Sequence, residues 1–123
     1  MAKKIMVVDD DADVTYTVKH GLVELDSGYE VISIDSGKQC LEWLENNEPP
    51  DLILLDIMMP EMTGWETYNK IREDRTYENI PVVFLTARKD RIASNAGKFL
   101  AEDYIEKPFK ILDLKDRIDK ILK

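Results

Sequence analysis

Cysteine is nearly absent: Cys40 is the only one in the chain, and it cannot build a disulfide framework, which fits a reducing compartment. Histidine is equally scarce, and no motif joins the single His20 to Cys40, so the thiol reads as a buried structural one. Long apolar runs are missing too. None approaches the roughly 20 residues a membrane span requires. Met1-Ala2-Lys3-Lys4 leads into only four apolar residues before three aspartates, which is no secretory signal. The expectation is a cytoplasmic protein without a membrane partner. Positive charge is also short, with 17 basic against 25 acidic residues and a formal net charge of −8. The basic stripe of a nucleic-acid binder is lacking, so no direct nucleic-acid contact is expected. Arg88-Lys89-Asp90-Arg91 comes nearest and reads as a solvated helix entrance. An acidic surface points instead to a protein partner of basic complementarity, or simply to solubility.

What is present is an alternation of strand-like and helix-like patterns, with no repeat, low-complexity tract or linker. At 123 residues, 44% apolar and 34% charged, the chain reads as one globular domain over 1–123. Strands are expected at about 4–9 and 30–35, then a third after Pro49-Pro50 whose run Leu52 to Leu55 leads into Asp56, then at about 81–86 and 103–106, the second the weakest, as befits an edge. Helices are expected at about 13–26, from Ser36 to Asn47, from Thr63 to Asp74, at 90–99 and at 110–122. Val14, Val18, Leu22 and Leu25 form the apolar stripe of the first, which Gly28 closes. Ser36-Gly37-Lys38-Gln39 and Thr63-Gly64-Trp65-Glu66 have the capping-box pattern. Strict alternation implies an α/β fold, a doubly wound parallel sheet with helices on both faces.

Four apolar runs end in residues able to handle a phosphoryl group. Ile5-Met6-Val7-Val8 runs into Asp9-Asp10, Leu52-Ile53-Leu54-Leu55 into Asp56, Val82-Val83-Phe84-Leu85 into Thr86, and Tyr104-Ile105-Glu106 into Lys107-Pro108. Short apolar runs of this kind are strands buried on both faces. In open parallel sheets the ligand crevice lies beyond the strands' carboxyl ends. If the four are neighbours, three carboxylates, a hydroxyl and an ammonium converge. Clustered carboxylates need a cation, and oxygen-only ligands suit Mg²⁺. An ionised Asp can attack phosphorus and become an acyl phosphate. Lys107 offers a charge and Thr86 a hydroxyl to the phosphoryl oxygens. Each residue alone has an ordinary explanation in helix capping, strand propensity or solvation. The joint pattern is what carries the reading.

With those residues in view, the chain resembles a response-regulator receiver domain from beginning to end, of the chemotaxis-regulator type used in two-component signalling. The resemblance rests on Val7-Val8-Asp9-Asp10, on Asp51 through Gly64 (DLILLDIMMPEMTG), on Phe84-Leu85-Thr86-Ala87, and on Asp103-Tyr104-Ile105-Glu106-Lys107-Pro108-Phe109. It implies a flavodoxin-like (βα)5 fold with strand order 2-1-3-4-5. It implies that Asp56 accepts phosphate from a sensor histidine kinase or phosphotransfer protein. Asp10, Asp56 and the Met58 carbonyl would ligate Mg²⁺, and Asp9 would act mainly through a water. Thr86 and Lys107 would hold the phosphoryl oxygens, beside a small Ala87, and Lys107-Pro108 would be cis. Asp11 and Asp13 would serve the helix start.

Switching is implied to couple Thr86 to Tyr104, rearranging the surface of the fourth helix, fifth strand and fifth helix toward an effector protein or output domain. The domain would be a signalling module and not an enzyme, monomeric or a phosphorylation-linked dimer, and either free-standing or part of a larger protein. Met58 and Arg88 would tune phosphoryl lifetime. One departure from the family pattern is Leu100, within Gly97-Lys98-Phe99-Leu100-Ala101-Glu102, where Gly is usual. Two other classes compete: an interaction module that no longer takes phosphate, and a Mg²⁺-dependent aspartyl-phosphate hydrolase. The hydrolase would want an acid two residues past Asp56, where Met58 stands.

Overall fold

A computed structural model of the chain describes residues 2–87 and 102–122. Five parallel strands, β1 (Lys3–Val8), β2 (Tyr29–Ile34), β3 (Leu52–Asp56), β4 (Val82–Ala87) and β5 (Asp103–Lys107), form one sheet in the order β2-β1-β3-β4-β5. Four helices are described: α1 (Ala12–Leu25), α2 (Gly37–Asn46), α3 (Gly64–Glu73) and α4 (Ile111–Ile121). The helix expected at 90–99, the stretch 97–101 and Arg88 lie outside the described residues.

Why these residues make a parallel sheet is visible in their burial. Ile5 to Val8, Leu52 to Leu55 and Val82 to Leu85 are fully enclosed, so both faces of the three central strands must be covered. Alternate side chains supply two cores. On one face Met6, Val8, Ile53, Leu55, Val82 and Phe84 pack against Cys40 and Leu44 of α2 and Tyr68 and Ile71 of α3. On the other, Ile5, Val7, Leu52, Leu54, Val83 and Leu85 meet Val18 and Leu22 of α1 and Leu114 and Ile118 of α4. Each such side chain contributes about 1.5–3 kcal/mol by leaving water. Leu54→Ala, in the middle of the second core, would cost about 2–5 kcal/mol.

Helix ends follow local chemistry. Asp11 caps α1 by accepting from the Asp13 N–H at 2.9 Å. The Ser36 hydroxyl accepts from the Gln39 N–H to start α2, and a reciprocal capping box between Thr63 and Glu66 starts α3. Two details differ from the sequence reading. Gly28 does not close α1 with a left-handed turn. Asp26 closes it in extended backbone, its N–H donating to the Leu22 carbonyl at 3.0 Å and its carboxylate accepting the Gly28 N–H at 2.8 Å. Leu25, expected on the buried stripe of α1, is 43% exposed, and the stripe ends at Leu22.

Candidate functional site

The register of the sheet brings three strand ends together. β1 and β3 are neighbours at the place where strand order reverses, and the chain leaves both in aspartates. A crevice must open there because the following helices leave to opposite faces. Asp9 and Asp56 are buried, only 1% and 5% exposed, whereas Asp10 is exposed. One carboxylate oxygen from each of the three lies within 4.8 Å of the others. From the far side of β4, Lys107 at the end of β5 reaches across. Its Nζ lies 2.6 Å from Asp9 Oδ2 and 3.1 Å from Asp56 Oδ1. The Lys107–Pro108 peptide is cis.

Two buried carboxylates so close are costly unless their charge is answered. Asp9 is fully answered: Oδ2 accepts from Lys107, and Oδ1 accepts the Asp11 N–H at 2.9 Å. Asp56 is less well served. Burial, with the neighbouring charges of Asp9 and Asp10, pushes its pKa up to about 6 against the opposing pull of Lys107. Burial works to lower the pKa of Lys107. Its hydrogen bond to Asp9 and the charges of Asp9 and Asp56 outweigh that and hold it above its ordinary value. The site is therefore short of positive charge. Its donors are all oxygens, the set a hard cation such as Mg²⁺ takes, and the residues fit one. Cys40 and His20 are elsewhere, Cys40 buried in α2 and His20 stacked on Tyr16 on α1.

Thr86 is enclosed at the end of β4, with its hydroxyl donating to the Ala87 carbonyl at 3.0 Å. Tyr104 sits opposite Phe84 in the β4–β5 register, half-buried against the α2–α3 core. Met58 has its side chain 57% exposed beside the crevice. Trp65 and Trp43 pack against the core, with the Trp65 ring 4.6 Å from that of Phe84. The geometry thus places Asp9, Asp10, Asp56 and Lys107 together, and Thr86 one strand over on the same sheet edge.

Two features were not read from the sequence. One is the direct pairing of Lys107 with Asp9, which ties β5 to β1 across two intervening strands. The other is Gly64. The Gly64 N–H donates to the Ile57 carbonyl at 2.8 Å, seating the first turn of α3 on the backbone just past Asp56. A glycine directly after a capping threonine was the available signal, since glycine is a poor helix former kept where backbones approach closely.

Comparison with known proteins agrees with this arrangement. The family model of the response regulator receiver domain matches residues 5–119. The chain is 36% identical over 124 residues to the alkaline phosphatase synthesis transcriptional regulatory protein PhoP of Bacillus subtilis, covering 100% of this chain and 50% of that protein. Among solved structures, the chemotaxis protein CheY4 of Vibrio cholerae superposes with a TM-score of 0.87 at 29% identity, over 99% of this chain and 100% of that one. The receiver domain of a signal transduction histidine kinase from Syntrophus aciditrophicus does so with a TM-score of 0.85 at 30% identity, over 98% and 90%.

The chain belongs to the response-regulator receiver domain family of two-component systems. It spans about half the length of the curated relatives it matches. Receiver domains are signalling domains that work with histidine kinases and output domains, and they generally use Mg²⁺ in an acidic pocket such as this one. No helix among the described residues is long and apolar enough to cross a membrane.

Proposed function

We propose that the chain is the phosphoacceptor of a two-component relay, taking its phosphoryl group from the phosphohistidine of a sensor kinase or phosphotransfer protein onto Asp56. The observation that carries this is the Lys107 ammonium bridging Asp9 and Asp56 in a cluster of three carboxylates. An Asp56 oxygen attacks phosphorus, the P–N bond breaks, and the electron pair stays on the departing imidazole nitrogen, which takes a proton. Asp56 becomes an acyl phosphate. Asp10, Asp56 and the Met58 carbonyl would hold Mg²⁺, with Asp9 acting through a water, and the ion supplies neutralisation of the gathering negative charge. Lys107 exchanges its Asp56 contact for a phosphoryl oxygen. Thr86 exchanges its bond to the Ala87 carbonyl for another.

The movement of Thr86 frees space into which Tyr104 turns, and the surface around β5 and α4 changes shape for an effector or output domain. Residues 1–123 act as one receiver unit that takes phosphate on itself and is not an enzyme of external substrates, working in the cytoplasm through proteins and not directly on nucleic acid. The test is intact mass after incubation with acetyl phosphate and Mg²⁺. One labile phosphate is expected, lost in Asp56→Asn. No phosphate on a folded, Mg²⁺-binding chain would leave an interaction module instead, and turnover of an added phosphomonoester would make it a hydrolase.

A further inference from the structure

We infer that Gly64 is a positioning residue for the phosphoacceptor: by lacking a side chain it lets α3 fix the backbone that aims Asp56 into the carboxylate cluster. The inference rests on the Mg²⁺-dependent phosphoacceptor reading and deepens it. A methyl at Gly64 would lie 2.8 Å from Ile57 Cα and 2.9 Å from the carbonyl carbon of Asp56, and closer still to that carbonyl's oxygen. Carbon contacts want about 3.5–4 Å, so the two backbones would have to part by something on the order of an ångström. The colliding atoms are main chain, with no rotamer to relieve them.

Both sides of this contact are anchored. α3 is anchored by the Thr63–Glu66 capping box, by Thr67 Oγ1 donating to the Thr63 carbonyl at 2.9 Å, and by the buried Tyr68 and Ile71. Thr67 is itself pressed against α2, because a methyl at Gly37 would run into its hydroxyl. The segment after Asp56 is anchored as well, by the buried side chains of Ile57 and Met59. It carries the Ile57 N–H to Leu85 carbonyl bond at 3.2 Å, the Gly64–Ile57 bond, and a tight turn with Glu61 at φ 67° closed by the Met62 N–H on the Pro60 carbonyl. With both sides anchored, the collision is shared between α3 and the Asp56–Ile57 peptide, whose atoms it strikes. That displaces the Asp56 carboxylate from Asp9, Asp10 and Lys107, whose oxygens and nitrogen sit within a few ångströms of it. Loss of a group that orients metal ligands costs about 10- to 100-fold in metal affinity.

The experiment compares wild type, Gly64→Ala and Ile71→Val for Mg²⁺ binding by calorimetry, for phosphate gain from acetyl phosphate, and for urea stability in EDTA. Ile71→Val trims a buried side chain near the far end of the same helix and leaves the contact between Gly64 and the Asp56–Ile57 backbone untouched. Gly64→Ala should weaken Mg²⁺ by about tenfold or more. It should slow phosphate gain at low Mg²⁺ and recover most of the rate at saturating Mg²⁺, while Ile71→Val binds as wild type. Equal weakening in both variants, or unchanged binding in folded Gly64→Ala, overturns the inference. Failure of wild type to bind Mg²⁺ instead defeats the underlying reading. Should Gly64→Ala not fold, the wild-type Gly64 amide signal decides the matter by NMR. It must shift with Mg²⁺ along the same saturation curve as the amides flanking Asp56, and a Gly64 amide that stays still overturns the positioning role.

Discussion

Replacing Asp56 with Asn should make the metal-free protein more stable, although it removes the phosphoacceptor. The Asp56 pKa stands at about 6 in the fold against 3.8 for an unperturbed carboxyl, raised by burial and by Asp9 and Asp10. Between those two values the native state holds a proton that the unfolded chain has released. The contribution of this group is therefore fully present below about pH 3.8 and lost as pH rises through about 6. A pKa rise of about two corresponds to nearly 3 kcal/mol at 1.36 kcal/mol per step, and solvent screening at the open crevice brings this to about 1–2 kcal/mol. Asn resembles the protonated acid in shape and carries no charge. At pH 7.5 in EDTA, Asp56→Asn should then gain about 1–2 kcal/mol by urea unfolding, or about 4–8 °C in Tm for a chain of this size.

The gain should shrink toward pH 4, where wild type regains its proton. It should shrink as well on adding Mg²⁺, which binds wild type and stabilises it by about 2.7 kcal/mol at a hundredfold excess over Kd. Equal or lower stability of Asp56→Asn at pH 7.5 in EDTA, with parallel pH curves, would refute the claim that the carboxylates strain the empty cluster.

Other expectations follow from the same geometry. Lys107→Gln strips the ammonium from Asp9 and Asp56 and should cost about 1–3 kcal/mol in EDTA at pH 7.5. The same change should tighten Mg²⁺ binding in calorimetry, since the ammonium and the ion compete for the same oxygens. Thr63→Ala removes the hydroxyl half of the capping box, keeps the Thr63 N–H to Glu66 carboxylate half, and should lower stability by about 1 kcal/mol in urea unfolding. Cys40 is fully enclosed and burial pushes its thiol up to about 12, so a disulfide reagent such as DTNB should react only as fast as the native protein opens. Stoichiometric reaction within seconds would contradict that burial.

The sheet was legible because each central strand carries an unbroken run of four apolar residues, ending at a polar one, as strands of a sheet covered on both faces do. With Val8, Leu55 and Leu85 fixed as strand residues, the crevice had to open beside Asp9 and Asp56, and the convergence of Lys107 followed from β5 ending level with them. The strand order itself came from the family resemblance. What could not be read was anything decided by contact across the fold. Lys107 carries no mark in sequence that it leans on Asp9, and Gly64 reads as an ordinary residue of a capping box until α3 is docked on the Asp56 backbone. The residue that closes α1 was missed for a similar reason, although the helix bounds themselves were legible. Asp26 and Gly28 both offer a stop signal, and which one acts depends on how α1 turns into β2.

Borohydride trapping tests the central claim most directly. The chain is incubated with acetyl phosphate and Mg²⁺ and reduced with borohydride, which converts an aspartyl phosphate to homoserine, and its peptides are then mapped by mass. Conversion at residue 56 alone is the expected result, abolished when Mg²⁺ is withheld. Conversion at Asp9 or Asp10 in place of Asp56, or none in a folded chain saturated with Mg²⁺, would contradict the account.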